Sequence, residues 1–242
     1  MRPVKYLMTD RLYFRQLLSG KDFADGNDVA EQMLNFTYLI GDLETREALI
    51  VDPAYRVSDL LHALREDDMR PVGVLATHFH ADHVGGNLFG HDIEGIAQLL
   101  DTVNVPIHVH ADERELMTAT TGVSSELVAH HSSDVVRVGA IAVELIHTPG
   151  HTPGSQCFLV EGRLVSGDTL FLEGCGRTDF PYSDATQMYE SLTQRLAKVP
   201  DSTLLFPGHR YSPAGSQAMG ETREKNWVFK PDSLEQWLGI FA

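Results

Sequence analysis

Thr77-His78-Phe79-His80-Ala81-Asp82-His83-Val84-Gly85-Gly86 follows directly on the apolar run Val72 to Ala76. That run reads as a buried strand, so the polar stretch begins where the chain leaves a sheet and its side chains can converge on one point. Alternation along extended backbone puts His78 and His80 on the same side, as two ligands of one ion require. Imidazole nitrogen and carboxylate oxygen without thiolate suit zinc, iron or manganese. Histidine is 12 of 242 residues. At this composition a chance match to the four fixed positions His-x-His-x-Asp-His is expected about 0.002 times. Coincidence is therefore a poor explanation.

Three further segments repeat the grammar of a strand end with a polar side chain beside glycine. They are TPGHTPGS with His151, SGDTLF with Asp168 and FPGHRY with His209. A single histidine beside glycine is usually a turn residue, but four such segments in one chain point to a shared centre. Gly150, Gly167 and Gly208 allow tight turns that aim the neighbouring side chain inward.

Working outward, Phe36 to Ile40 and Ala48 to Asp52 read as paired strands around a polar turn. Val57, Leu60, Leu61 and Leu64 fall at helical spacing and predict a helix ending near Asp68. Pro106 to Val109 reads as a strand and Asp112 to Thr118 as a helix. Val135 to Val138 with Ile141 to His147, and Cys157 to Val160 with Leu164 to Ser166, read as two hairpins. Asp184 with Gln187 predicts a capped helix carrying Met188, Leu192, Leu196 and Val199 on one face. Thr203 to Phe206 is a last strand. Leu234, Trp237, Leu238 and Phe241 have the spacing of a tail helix docked on the core. No repeat or low-complexity linker interrupts this order, so one domain over residues 1–242 is expected, with helices outside two mixed sheets.

The net charge is −15 (19 Lys and Arg against 34 Asp and Glu), which argues against a nucleic acid or an anionic membrane as partner. The N-terminal residues mix charges into every apolar stretch, without the apolar core of a secretory signal. Two cysteines, Cys157 and Cys175, are too few for a disulfide framework, and a cytoplasmic location is expected. The composition is compatible with a homo-oligomer.

Together these motifs resemble the metallo-β-lactamase superfamily from Phe36 to Tyr211. The resemblance implies an α/β fold, a four-layer αββα sandwich of two mixed β-sheets, with the site at one edge. It implies two divalent metal ions (zinc, or iron or manganese). His78, His80 and His151 hold the first, Asp82, His83 and His209 the second, and Asp168 bridges both. Such a pair acidifies a shared water toward neutrality, so a bridging hydroxide serves as nucleophile without a protein base, with Asp82 as ligand and orienting acceptor. GDTLFLEGCGRTDF (167–180) is similar to glyoxalase II in GDTLF and GCGR, and to persulfide dioxygenase in GCGRTDF.

The favoured expectation is a thioester hydrolase of the hydroxyacylglutathione type acting on a small thiol-derived substrate. Arg177 would hold a substrate carboxylate, or else pin its own loop through Asp179 or Asp184. Tyr211 would donate to a substrate oxygen, or simply pack. The alternative is a persulfide dioxygenase with one Fe(II) on His78, His151 and Asp168. A metal-free scaffold of the same fold is the non-enzymatic alternative. Residues 87–105 are expected to form a lid or interface helix. Of the histidines without a role, His108 and His110 are placed on the outer face of a strand, and His130 and His131 in a loop facing water.

Overall fold

The computed structural model describes residues 11–240. Phe241 of the expected tail helix and the N-terminal ten residues lie outside them. The strands run β1 (Leu12–Leu18), β2 (Phe36–Asp42), β3 (Glu47–Val51), β4 (Arg70–Leu75), β5 (Gly86–Leu88), β6 (His91–Ile93) and β7 (Ile107–His110). They continue as β8 (Leu127–His130), β9 (Val135–Val138), β10 (Ile141–His147), β11 (Gln156–Val160), β12 (Arg163–Gly167), β13 (Leu204–Pro207) and β14 (Gln217–Ala218). The α-helices are α1 (Asp28–Met33), α2 (Val57–Glu66), α3 (Ala81–Val84), α4 (Ile96–Leu100), α5 (Arg114–Thr121), α6 (Ala185–Glu190), α7 (Met219–Lys225) and α8 (Leu234–Ile240).

Two six-stranded sheets carry the orders β1-β2-β3-β4-β7-β8 and β14-β13-β12-β11-β10-β9. The first is antiparallel from β1 to β3 and parallel from β3 to β8. In the second only β12 and β13 run parallel. Strand alternation then sorts the apolar side chains into layers. Tyr38, Ile40, Leu49 and Val51 meet Val143, Leu145, Phe158 and Val165 between the sheets. Leu39, Ile50 and Val74 point the other way, onto Leu60, Leu61 and Leu64 of α2. Cys157, Leu164 and Leu205 turn outward to Met188, Leu192 and Trp237. The layers are helix, sheet, sheet, helix. Among the described residues, no helix is long and apolar enough to cross a membrane.

Two expectations need correction. Residues 87–105 form no lid helix. The β5–β6 hairpin carries Phe89 into solvent, 87% exposed, whereas Ile96 and Leu99 of α4 are fully buried against the first sheet's helical layer. Nor do the strand histidines simply face outward. His108 Nδ1 lies 2.8 Å from His130 Nε2, and the buried His110 ring stacks on His147 with centroids 3.6 Å apart. Burial, reinforced by His130, pushes His108 down to about 4, and burial with His147 does the same for His110.

Their neutral forms are favoured by folding, so their stabilisation is complete above pH 6.5 and is lost as pH falls toward 4. With His108 partly exposed, its share is about 2 kcal/mol. Between pH 7 and 4.5 the melting temperature should fall, and His108→Gln, which cannot titrate, should flatten that fall by several degrees. Superimposable curves for variant and parent would contradict this account.

Candidate metal centre

Four loops at one edge of the sandwich bring the sequence-predicted side chains together. After β4 the chain passes Thr77 and extends through His78 to His80. The single helical turn α3 then buries Asp82 and His83. His151 follows β10, Asp168 follows β12 and His209 follows β13. Gly150 has φ +141°, a conformation that disfavours a side chain, and a Cβ there would lie 2.4 Å from the Met188 backbone. At Gly208 the reason is proximity, since a Cβ would sit 2.4 Å from Asp168 Oδ1.

His78, His80 and His151 place ligand atoms within 4.8 Å of one another, as do Asp82, His83 and His209, and His78, His83 and Asp168. His80 Nδ1 lies 3.1 Å from His78 Nε2 and 3.0 Å from His151 Nε2. His83 Nε2 and His209 Nε2 are 3.1 Å apart. Asp168 stands between the groups, with Oδ1 3.3 Å from His83 Nε2 and Oδ2 3.6 Å from His151 Nε2 and 3.4 Å from His209 Nε2. Arg177 and Tyr211 line the cavity above.

The outer edges of these rings decide which nitrogen faces inward. His83 Nδ1 donates to Asp52 Oδ2 at 2.9 Å, His151 Nδ1 to the Arg177 carbonyl at 2.8 Å, and His209 Nδ1 to the Met33 carbonyl at 2.7 Å. Each donation leaves an Nε2 lone pair directed at the centre. Converging lone pairs repel unless protons or cations lie between them. Asp168 Oδ1 is itself buried without a hydrogen-bond partner, which natural folds rarely tolerate. The donor set therefore fits cations coordinated by nitrogen and oxygen.

The electrostatics of the cluster agree. Burial opposes ionisation of Asp168 and Asp82, yet the adjacent His209 and His83 charges hold both carboxyls below their ordinary range. Burial also opposes charge on His83 and His209, but the neighbouring carboxylates outweigh it and raise both. Burial and mutual repulsion push His78 down, and burial with His151 brings His80 to about 4. The carboxylates thus favour positive charge on the Asp82, His83, His209 side, as a bound cation would supply it.

Residues beyond the motifs complete the frame. Asn35 Nδ2 donates to Asp82 Oδ2 at 3.1 Å, and Tyr55 OH donates to Asn35 Oδ1 at 2.7 Å. Asp52 accepts from Thr77 N at 2.7 Å and Thr77 Oγ1 at 2.6 Å. The buried Glu113 carboxylate accepts from Phe79 N, Thr152 Oγ1 and Gly154 N, each at 2.7 Å, tying the His78–His80 loop to the His151 loop. Burial nonetheless pushes Glu113 up to about 7. Asp52 closes an apolar strand immediately before Pro53, a signal visible in the sequence. Asn35 and Glu113 carry no such mark.

Arg177 donates from Nε and Nη2 to Asp179 at 2.8 and 2.6 Å, and its guanidinium carbon lies 4.3 Å from the Phe180 ring centre. Tyr211 stacks on His209 at 4.8 Å and is 54% exposed. Burial pushes the Cys175 thiol up to about 12, leaving it neutral.

This edge site between mixed sheets defines a class, and residues 32–209 match the metallo-beta-lactamase superfamily, to which the chain belongs. Within it, the chain is 30% identical over 194 residues to the mitochondrial persulfide dioxygenase ETHE1 of Homo sapiens (79% of this chain, 70% of that protein). It is 35% identical over 185 residues to a probable hydroxyacylglutathione hydrolase of Schizosaccharomyces pombe (74% of this chain, 64% of that protein). The crystal structure of ETHE1 from Myxococcus xanthus superposes with a TM-score of 0.78 at 32% identity, covering 95% of this chain and 89% of that one. Relatives in both directions are enzymes, a hydrolase and a dioxygenase.

Proposed function

We propose that the protein is a binuclear metallohydrolase that cleaves thioesters with glyoxalase II-type chemistry, the hydroxyacylglutathione class included. The observation that carries this reading is Asp168, one carboxylate facing His151 on one side and His83 and His209 on the other. His78, His80 and His151 would hold one ion, Asp82, His83 and His209 the other, with Asp168 shared. Two such ions supply Lewis acidity to the carbonyl and an acidified water as nucleophile.

The chain's own groups do the rest. Asp82 offers a carboxylate oxygen whose orientation Asn35 fixes. Asp52 and the carbonyls of Arg177 and Met33 keep three imidazoles in one tautomer. Phe171 and Phe180 lie 6.0 Å from His209 and 5.8 Å from His80, ring centre to ring centre, limiting water at the reacting carbonyl. Tyr211 presents a hydroxyl at the rim, kept protonated first by burial and then by the nearby carboxylates.

A persulfide dioxygenase is the second reading, supported by the GCGRTDF segment and by the dioxygenase relatives. Protein purified without oxygen distinguishes the two. Hydrolysis predicts close to two ions per chain and turnover of acyl thioesters, lost in His83→Ala. One iron per chain, with oxygen uptake on glutathione persulfide and no thioesterase activity, would transfer the assignment.

A further inference from the structure

The cavity over the centre has a volume of about 840 Å³, at the upper end of small-molecule sites, and its walls are aromatic. Phe79, Phe180 and Tyr182 belong to it, as do Phe171, Tyr211 and Trp227. Phe79 and Tyr182 stand 6.4 Å apart and Phe171 and Tyr211 5.0 Å, ring centre to ring centre. At the hairpin tip Phe89 lines the same space while 87% exposed, held by a backbone φ of +51°. An isolated exposed ring needs no explanation, but one that continues the wall of a cavity adds apolar surface for a ligand longer than the reacting group.

Charge on the walls points the same way. Among the described lining residues Arg177 is the single Lys or Arg, and its guanidinium is already bidentate to Asp179. Glu173 adds a carboxylate to the lining, and the chain as a whole carries −15. A thiol tripeptide of the glutathione type brings two carboxylates and one ammonium, a net charge of −1. It would have to separate the Arg177–Asp179 pair to find one cation, and the described lining residues offer no second lysine or arginine. An uncharged chain meets ring faces instead, and its transfer from water is favourable for every methylene buried.

We infer that this cavity takes thioesters of extended apolar acyl groups, and that it selects them by the chain rather than by a carboxylate-bearing thiol. This rests on the thioesterase reading and narrows it. The reaction balances with water alone. The C–S bond breaks, a C–O bond forms, the acyl group leaves as a carboxylate and the sulfur as a thiol, with one proton released.

The test separates binding from turnover on the metal-loaded protein. Non-hydrolysable thioethers are titrated calorimetrically: S-methyl and S-octyl derivatives, each on glutathione and on the uncharged carrier N-acetylcysteamine. The octyl compounds should bind at least about tenfold tighter than the methyl ones on either carrier, and the glutathione head should add less than about threefold. A glutathione head worth tenfold or more, or equal affinity for octyl and methyl, overturns the inference. In parallel, S-octanoyl-N-acetylcysteamine should exceed S-lactoylglutathione in kcat/KM. If no acyl thioester is hydrolysed by protein holding two ions, the thioesterase reading fails, and the calorimetry still decides what the cavity selects.

Discussion

Asp168→Asn should lower thioester turnover by about a thousandfold or more, roughly 4 kcal/mol of transition-state stabilisation. The substitution preserves shape and one carbonyl acceptor but removes the charge that faces both ligand groups. Without metal the variant should be somewhat less stable than the parent, because the buried carboxylate that faces His83 at 3.3 Å and His209 at 3.4 Å loses its charge. The diagnostic contrast lies in metal-linked stability. Ion binding to the folded state raises the melting temperature of the parent, whereas the variant, with one bridging charge missing, should gain much less. Parallel titrations by scanning calorimetry and metal analysis check both halves. A variant that keeps two ions and parental kcat would remove Asp168 from the centre of the account.

Asp52 should show the second largest effect, and on stability as well as activity. Its carboxylate is buried and accepts from Thr77 N, Thr77 Oγ1 and His83 Nδ1. Asp52→Ala strands those donors, at a cost of about 3–5 kcal/mol. It also puts a residue without a local acceptor at φ +53°, where Asp and Asn are better tolerated. Asp52→Asn is the sharper experiment. Its backbone is content and its carbonyl can still accept from Thr77, but one position near His83 now holds an NH₂ group. If that group faces Nδ1, the imidazole proton moves to Nε2, and the lone pair aimed at the second ion is lost. Affinity for that ion should fall about 10- to 100-fold with the first ion retained, and turnover should follow. Unchanged affinity for both ions in Asp52→Asn would show that the Asp52–His83 bond is structural only.

The hairpin pairings and the layers follow from features a sequence displays. Alternating apolar residues in Ile141–His147 place one face between the sheets, Phe36–Asp42 is buried on both faces with Phe36, Tyr38 and Ile40 between the sheets, and α2 repeats its apolar residues every three or four positions. The strand β1 is not legible in this way. Its edge position leaves Arg15 and Tyr13 to bond Asp67, at 2.6 and 2.5 Å, so charge interrupts the alternation. For the site, the seven side chains share one visible grammar, a polar residue where a strand gives way to a loop. Asn35 and Glu113 hold them in place through contacts 47 and 34 to 41 positions away in sequence. A single polar residue on such an element has no period or spacing to mark it. The paired histidines His108 with His130 and His110 with His147 are hidden for the same reason, since strand pairing and sheet packing, not sequence proximity, bring them together.

Crystals of zinc-loaded protein, measured on both sides of the zinc absorption edge, test the central claim most directly. The account predicts two anomalous peaks about 3.5–4 Å apart, one among His78, His80 and His151, the other among Asp82, His83 and His209, with Asp168 between them. A single peak on His78, His151 and Asp168, or zinc bound only elsewhere on the chain, would contradict it.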